Sequence, residues 1–405
     1  MDRALLFIFL SAQLLFGCQK GENPPFDSQQ PTIVTTTLPS NQNSFMVQPP
    51  RFDGKIYRYL IPIDRVNQFW NSPYAHNEGA PISETTNWVA EVIWKDFDLS
   101  QTLNIFKLSE GLTQGRGGNG VIGFEICDSP LEIYGVFTGN VLIGIKRADS
   151  QYRPTGEYLW SWHIWLTDWD GTLQDYSNGR GYQLMDRNLG AKASGRGDVG
   201  SLGLYYQWGR KDPFISASDI AFFDGETVSY AHPAEAHPTV VPFTIGGTVS
   251  YSVKHPTTFV CSTVNGVENS YRADWLKEPI ASLWMESEKS IFDPCPQGFK
   301  VANRYSWAGL NSENFQFDYF NRGRGNNLVW YPAAGCIRGE VGELRYVGTH
   351  GYSIWIATSN ISTSSSGVKS YYARNLWFTH TTLTVDYSAS RAHGATVRCM
   401  KWDEV

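Results

Sequence analysis

Apolar and polar residues alternate along much of the chain from Asn43 to Ser150, and a period of two marks half-buried strands. NSFMVQP, KIYRYLIPI, NWVAEVIWKDF, GVIGFEI and GNVLIGIKR follow this pattern, each bounded by Gly, Pro, Asn or Asp. IDRVNQFW carries its bulky residues at helical spacing and predicts one short helix with Asp64 as N-cap. Many short strands with little helix predict a β-sandwich. The run GEYLWSWHIWLTDWDG (156–171) is apolar on both sides and predicts a strand buried at a domain junction. Beyond Gly171 the texture changes. LGLYYQWGRKD (202–212) and NRYSWAGL (303–310) have helix-like spacing, while LVWYPAAGCI, YSIWIATS, ARNLWFT and ATVRCMK read as strands. Long polar loops cover 215–275 and 359–370, so the later part reads as α+β.

Length and composition narrow this picture. The 405 residues predict two or three domains and suffice for a sizeable core. Aromatic residues make up 14% and charged residues 18%, which excludes a disordered or coiled-coil chain. The net charge of −6 argues against a nucleic-acid partner and against electrostatic docking on anionic lipid.

The beginning of the chain carries an address. Arg3 precedes an apolar run, Ala4 to Phe16, that is too short for a membrane span of about 20 residues and fits the core of a secretory signal. It ends in Leu15-Phe16-Gly17-Cys18, which resembles the lipobox of bacterial lipoproteins, in which the cysteine is acylated. Gln19 follows, not the Asp that often retains lipoproteins at an inner membrane. The expectation is a signal peptide over 1–18, a lipid on Cys18, and a Pro-, Thr-, Ser- and Gln-rich tether over 19–42.

A second resemblance covers roughly 170–405. GYQLMDRNLGA (181–191), GLYYQWGRKDPF (203–214), DPCPQGFKVA (293–302), WYPAAGCIRG (330–339), YSIWIATS (352–359) and the closing TVRCMK (396–401) occur in this order. The series resembles the FISUMP (major paralogous) domain family of Bacteroidetes-type surface lipoproteins, which is similar to the C-type-lectin and formylglycine-generating-enzyme folds. The segment before it resembles fimbrillin-family and fimbrial-tip-like proteins. The resemblance implies a β-rich, two-domain chain, with an N-terminal β-sandwich over 43–170 and a C-type-lectin-like α+β domain over 171–405. It implies a non-catalytic adhesin or fimbrial tip or accessory subunit at the outer membrane or cell surface. Its partners would be a glycan or a host or bacterial surface protein, with pilin subunits as further partners. A structural pilus-assembly subunit and an enzyme on a formylglycine-generating-like scaffold are the alternatives.

Site expectations follow from the same resemblance. Lectin-like folds bind through the loops before the last strands, here 340–393, which singles out Tyr352, Tyr371, Tyr372, Arg374, Asn375 and His393. Aromatic faces suit sugar rings, and Arg and Asn supply directional hydrogen bonds. Cys295 and Cys399 sit in the two motifs closest to the family and form the expected disulfide, closing a long loop worth about 4–5 kcal/mol. Cys127, Cys261 and Cys336 lie in apolar strand contexts where inert thiols are common, and all five cysteines after Cys18 reduced is the other reading.

The remaining motifs are weaker. Asp168, Asp170 and Asp175 cluster around Gly171 and suit calcium, although the spacing is not that of an EF-hand and a solvated Asp-Gly turn is the simpler reading. No other cofactor is expected. GRGGNG (115–120) precedes a strand rather than a helix and reads as a hairpin loop. His232, Glu235 and His237 sit among prolines that forbid a zincin helix and read as a polar loop. Arg196-Gly197-Asp198 spells an integrin tripeptide inside a Gly-rich loop, which is its simpler explanation. Gly-x-Ser-x-Gly, His-Glu-x-x-His and the calcium-dependent sugar signatures of true C-type lectins are missing.

Overall fold

The computed structural model describes residues 31–50, 53–75, 78–97, 105–127, 137–220, 226–264, 267–268, 273–326, 330–355, 361–363 and 369–403. Cys18, the signal segment and residues 19–30 of the expected tether lie outside the described residues. Among the described residues no helix is long and apolar enough to cross a membrane.

The alternating segments form the strands they predict. β1 (Thr32–Thr37), β2 (Ser44–Val47), β3 (Lys55–Pro62), α1 (Asp64–Trp70), β4 (Asn87–Lys95), β5 (Phe106–Leu108), β6 (Gln114–Arg116), β7 (Val121–Ile126), β8 (Gly139–Ala148) and β9 (Pro154–Leu166) follow in order. One sheet runs β1-β3-β7-β5 and another β2-β9-β8-β4-β6. Ile61, Ile122 and Phe124 of the first sheet and Val141, Ile143, Trp162 and Ile164 of the second are buried in one apolar cluster, as a sandwich requires. β9, read as a doubly buried strand, is buried without a break from Leu159 to Leu166.

Three expectations for this region need correction. Part of the tether is structured: β1 pairs in parallel with β3, because the run TIVTTT is rich in β-branched residues. The tether's last residue, Gln42, is fully buried, and Asn43 donates through Nδ2 to the carbonyls of Ile291 (2.7 Å) and Asp293 (2.9 Å). Asp64 lies inside the first turn of α1, where an acid favours the helix dipole, and Ile63 takes the N-cap position without a side-chain bond. GRGGNG is not a hairpin loop, because β6 pairs with β4 and β7 with β3 and β5 in the other sheet; it is a seat for Trp88, where a Cβ on Gly115 or on Gly120 would stand 2.4 Å from the indole, whose Nε1 donates to Gly117 O (3.0 Å).

The later region is less regular. Its largest sheet is built on Gly394–Val397, flanked by Tyr205–Gln207, Ala334–Ile337 and Gly351–Trp355, and continues through Lys369–Phe378 to Leu383–Ser390. A smaller sheet has the order Leu173–Asp175, Gln183–Met185, Cys399–Lys401, Phe299–Val301. Cys295 and Cys399 are bonded as expected, with Cα atoms 5.8 Å apart.

Neither expected helix forms here. In 202–212, Gly203 and Gly209 have φ of +74° and +84°, which a helix cannot accommodate. Tyr205 and Tyr206 point into two different apolar clusters, as strand residues do. In 303–310 the chain closes successive turns, Ser306 N–H to Asn303 O and Ala308 N–H to Tyr305 O, and Gly309 N–H bonds Tyr176 O instead of continuing a helix. The polar stretch 215–275 is no bare loop: Phe243–Gly246 and Val249–Lys254 are short helices, and Thr239–Pro242 pairs in parallel with Thr258–Cys261.

The apolar core crosses residue 170. Trp160, Trp162 and Trp165 share one cluster with Trp208, Trp275, Trp284 and Val397. Phe69 meets Phe292 edge to face at 6.0 Å. Polar groups cross too. Asn140 Nδ2 donates to Asp96 Oδ2 (3.1 Å) and Gly190 O (2.9 Å), so its Oδ1 accepts from His163 Nε2 (2.9 Å), and His163 Nδ1 accepts from the Ser44 hydroxyl (2.9 Å). Burial alone pushes the His163 imidazole down to about 3, so it stays neutral. Buried Lys211 donates to Ser161 O (3.0 Å), Ser161 Oγ (2.6 Å) and Asp212 Oδ1 (2.6 Å).

Candidate functional site

A pocket of about 350 Å³ lies where the hairpin Lys369–Phe378/Leu383–Ser390 meets the turn that follows it. It gathers residues from six stretches, among them Glu340, Tyr352, Tyr372, Tyr387, Ser388 and His393.

The turn is fixed from behind. Arg391 N–H donates to Ala273 O (2.6 Å), its guanidinium lies 3.9 Å from the ring centroid of Trp208, and Nη1 reaches Asp274 Oδ2 (3.4 Å). Gln207 Nε2 donates to both Val260 O and Ala392 O (2.8 Å each). The backbone that carries His393 therefore has little freedom. Gly339 N–H donates to His393 Nδ1 (2.9 Å), which puts the ring proton on Nε2. Burial presses the His393 imidazole down to about 4 against the pull of Glu340, so it is neutral near pH 7. Burial works against the charge of Glu340, but the Arg338 guanidinium, with Nε 3.1 Å from Oε2, holds its carboxyl below the usual range.

The rest of the wall is aromatic and hydroxylic. Tyr387 stacks on Trp377 at 4.7 Å, and Trp377 stands 6.5 Å from Tyr352. Burial, then the neighbouring Cys336, raise the Tyr352 hydroxyl far above its ordinary range, so it stays protonated. Ser390 Oγ is anchored on Ala273 O (3.0 Å), while Ser388 is exposed. The pocket thus offers an N–H donor, a carboxylate acceptor, hydroxyls and aromatic surface. That mixture suits a ligand rich in hydroxyl or amide groups. The free thiols Cys261 and Cys336 are not part of the pocket lining, and burial pushes both up to about 12, so neither is a thiolate at neutral pH.

Three of the six expected ligand residues line this pocket: Tyr352, Tyr372 and His393. The other three do not. Neighbouring strand residues face opposite ways, so Tyr371 turns toward the Arg391 guanidinium, 5.5 Å from its ring. Arg374 is held by Asp386 (Nη1 to Oδ1 3.4 Å). Asn375 is 1% exposed and belongs to the interior. Glu340, Tyr387 and Ser388 were missed. Tyr387 lies on the strand Leu383–Ser390, which the sequence reading did not identify, and only the turn at 390–393 brings it beside Glu340.

The acidic cluster is dispersed. Asp168 pairs with Arg187 (2.5 Å), Asp170 accepts from Thr172 N–H (2.9 Å), and Asp175 accepts from Ser177 N–H (2.8 Å). His237 Nε2 donates to Ala231 O (2.9 Å), and the 231–238 segment closes a short turn at Ala234–Ala236. Among the described residues no group of three or more His, Cys, Asp or Glu side chains is arranged to hold a metal ion. No protein-family model, no curated protein and no solved structure matches the chain.

Proposed function

We propose that this chain is a non-catalytic binding protein of a bacterial surface, exported, anchored by a lipid on Cys18, and acting as an adhesin or fimbrial tip or accessory subunit of the FISUMP type. Its ligand site is the pocket at the 390–393 turn, and its ligand is a glycan or a protein displayed on a host or bacterial surface. The observation that carries the reading is the convergence of Tyr352, Tyr372 and His393, distant in sequence, on one polar pocket whose backbone is locked by Arg391 and Gln207. A rigid scaffold presenting such a site on its turns is what recognition without turnover needs.

Binding of the chain to immobilised matrix proteins and to a glycan array tests this reading. Ser388→Trp fills the pocket from an exposed position and should abolish at least one of the wild-type signals without lowering the melting temperature. A wild-type chain that binds nothing, or a Ser388→Trp variant that binds as before, would refute it.

A further inference from the structure

A second cavity, of about 750 Å³, opens on the small sheet Gln316–Asp318, Gly323–Gly325, Trp330–Pro332, away from the pocket above. Its volume is that of small-ligand sites. Its rim carries Tyr319, 58% exposed, and the adjoining Phe320 is 91% exposed. Large aromatic rings held in water at a cavity mouth mark interaction sites.

These rings are held, not loose. Asp318 Oδ1 accepts the N–H groups of Phe320 and Asn321 (3.0 Å each), and Oδ2 accepts from Asn321 Nδ2 (2.7 Å), which fixes the turn. Behind it an aromatic ladder runs outward from the interior: buried Phe378 meets Phe317 at 6.4 Å, and Phe317 meets Tyr319 edge to face at 5.2 Å. Arg324 locks the base, donating to Phe315 O (2.6 Å) and Thr379 O (3.3 Å).

The opposite wall is Arg196. Its guanidinium lies 5.2 Å from the Trp330 ring centroid and donates through one Nη to Asn326 O, leaving further N–H groups toward the cavity. This also explains the Arg-Gly-Asp tripeptide. Arg196 builds the cavity, and Asp198 caps the turn Val199–Leu202 by accepting from Gly200 N–H (2.7 Å), so the two charges serve separate structural tasks. Glu313 and Gln316 complete the lining with exposed acceptor groups. One cation stands against two carboxylates, one of them already occupied by its own turn. Nothing here selects a strongly charged ligand. An aromatic face flanked by planar polar groups matches a sugar, whose C–H face stacks on a ring while its hydroxyls take hydrogen bonds.

We propose that this cleft binds a neutral saccharide, one sugar face laid against Tyr319 and its hydroxyls paired with Arg196, Glu313 and Gln316. The site is independent of the pocket at 390–393. The full chain is applied to an array of neutral, sialylated and sulfated oligosaccharides, and the neutral oligosaccharide with the strongest signal is then titrated calorimetrically. Tyr319→Ala and Gln316→Ala should each weaken that binding by roughly fivefold to tenfold. Both positions are exposed, so melting temperatures should match the wild type. Ser388→Trp should leave the affinity unchanged. Binding confined to sialylated or sulfated sugars, no binding at all, or unchanged affinity in both cleft variants overturns the proposal. Loss on Ser388→Trp with Tyr319→Ala unaffected assigns the sugar to the other pocket and overturns it too.

Discussion

In the sandwich of residues 32–166 long strands are matched by ladders and, among the described residues, only Arg65 of the cations is buried: Arg58 and Lys107 meet Glu125, and Lys146 meets Glu91, from partly exposed positions. From residue 173 onward the strands, apart from the hairpin Lys369–Phe378/Leu383–Ser390, are short, and several cations go inside. Arg210, Lys211, Arg391 and Arg398 are all at most 3% exposed. Their partners are chiefly carbonyls and rings. Arg210 donates to Thr258 O (2.6 Å), Arg398 donates to Trp330 O (3.0 Å) and lies 3.6 Å from the Tyr331 ring centroid, and Lys211 donates to Ser161 O (3.0 Å). A loop-rich body has many carbonyls that no ladder satisfies, and a buried guanidinium supplies several donors at one point. The difference teaches that the second region replaces sheet regularity with a few long cationic side chains and one crosslink.

The crosslink gives the largest expected effect. Cys399→Ser removes closure of a loop whose ends are 104 residues apart, and the chain-entropy model puts that at about 5 kcal/mol. Urea denaturation followed by tryptophan fluorescence should show a midpoint far below wild type. A midpoint shift too small to measure would mean that the buried cations alone hold the region. Lys211 comes next. Burial, opposed by the charge of Asp212, brings its ammonium down to about 8, so it is still mostly charged at pH 7. Lys211→Met leaves the buried Asp212 carboxylate with the Ser161 hydroxyl as donor but without its counter-charge, and should cost about 4 kcal/mol. Lys107→Ala leaves Arg58 on Glu125 and should cost less than about 1 kcal/mol. Equal losses would erase the contrast between the regions. Because the core crosses residue 170, Lys211→Met should shift a single transition, and two separate transitions would show that the halves unfold independently.

The same contrast explains what was legible in the sequence. β2, β3, β4, β7, β8 and β9 were readable because each is a run of apolar residues bounded by turn residues; β4 buries alternate positions, while β7, β8 and β9 are buried over successive ones. In 202–212 the spacing that imitated a helix belongs to a strand buried on both sides, and only the positive φ of Gly203 and Gly209 separates the two cases. The Cys295–Cys399 bond followed from a motif resemblance, not from periodicity. Tyr352, Tyr372 and His393 were identifiable as polar or aromatic residues near a turn, but Glu340 was not, since its place depends on Gly339 N–H meeting His393 Nδ1 across 54 residues. Tyr319 and Arg196 were hidden for the same reason: 123 positions separate them (319 − 196), and the cavity they share exists only in the folded chain.

A comparably small effect, and one that depends on pH, concerns the neutral imidazole at the joint between the regions. His163 is held at about 3 in the folded chain against about 6.5 unfolded. Between these values the unfolded chain binds the proton that the folded chain refuses. Stability from this group is therefore complete above about pH 6.5 and declines as pH falls toward 3. Lowering the pH from 7 to 5.5 should cost about 1 kcal/mol through His163 alone. His393, held at about 4, adds a decline of the same sign. Asp274 acts oppositely, because burial, despite Arg391, raises its carboxyl to about 6, and a raised acid favours the folded chain as pH falls through that value. The total slope mixes all three groups, so the informative measurement is a difference. Urea midpoints of wild type and His163→Gln, compared at pH 7 and 5.5, should converge on acidification, since glutamine keeps a donor for Asn140 Oδ1 and has no proton to gain. Parallel midpoints would mean that the folded chain accommodates a charged His163. The joint would then tolerate a buried cation as readily as the region that follows it.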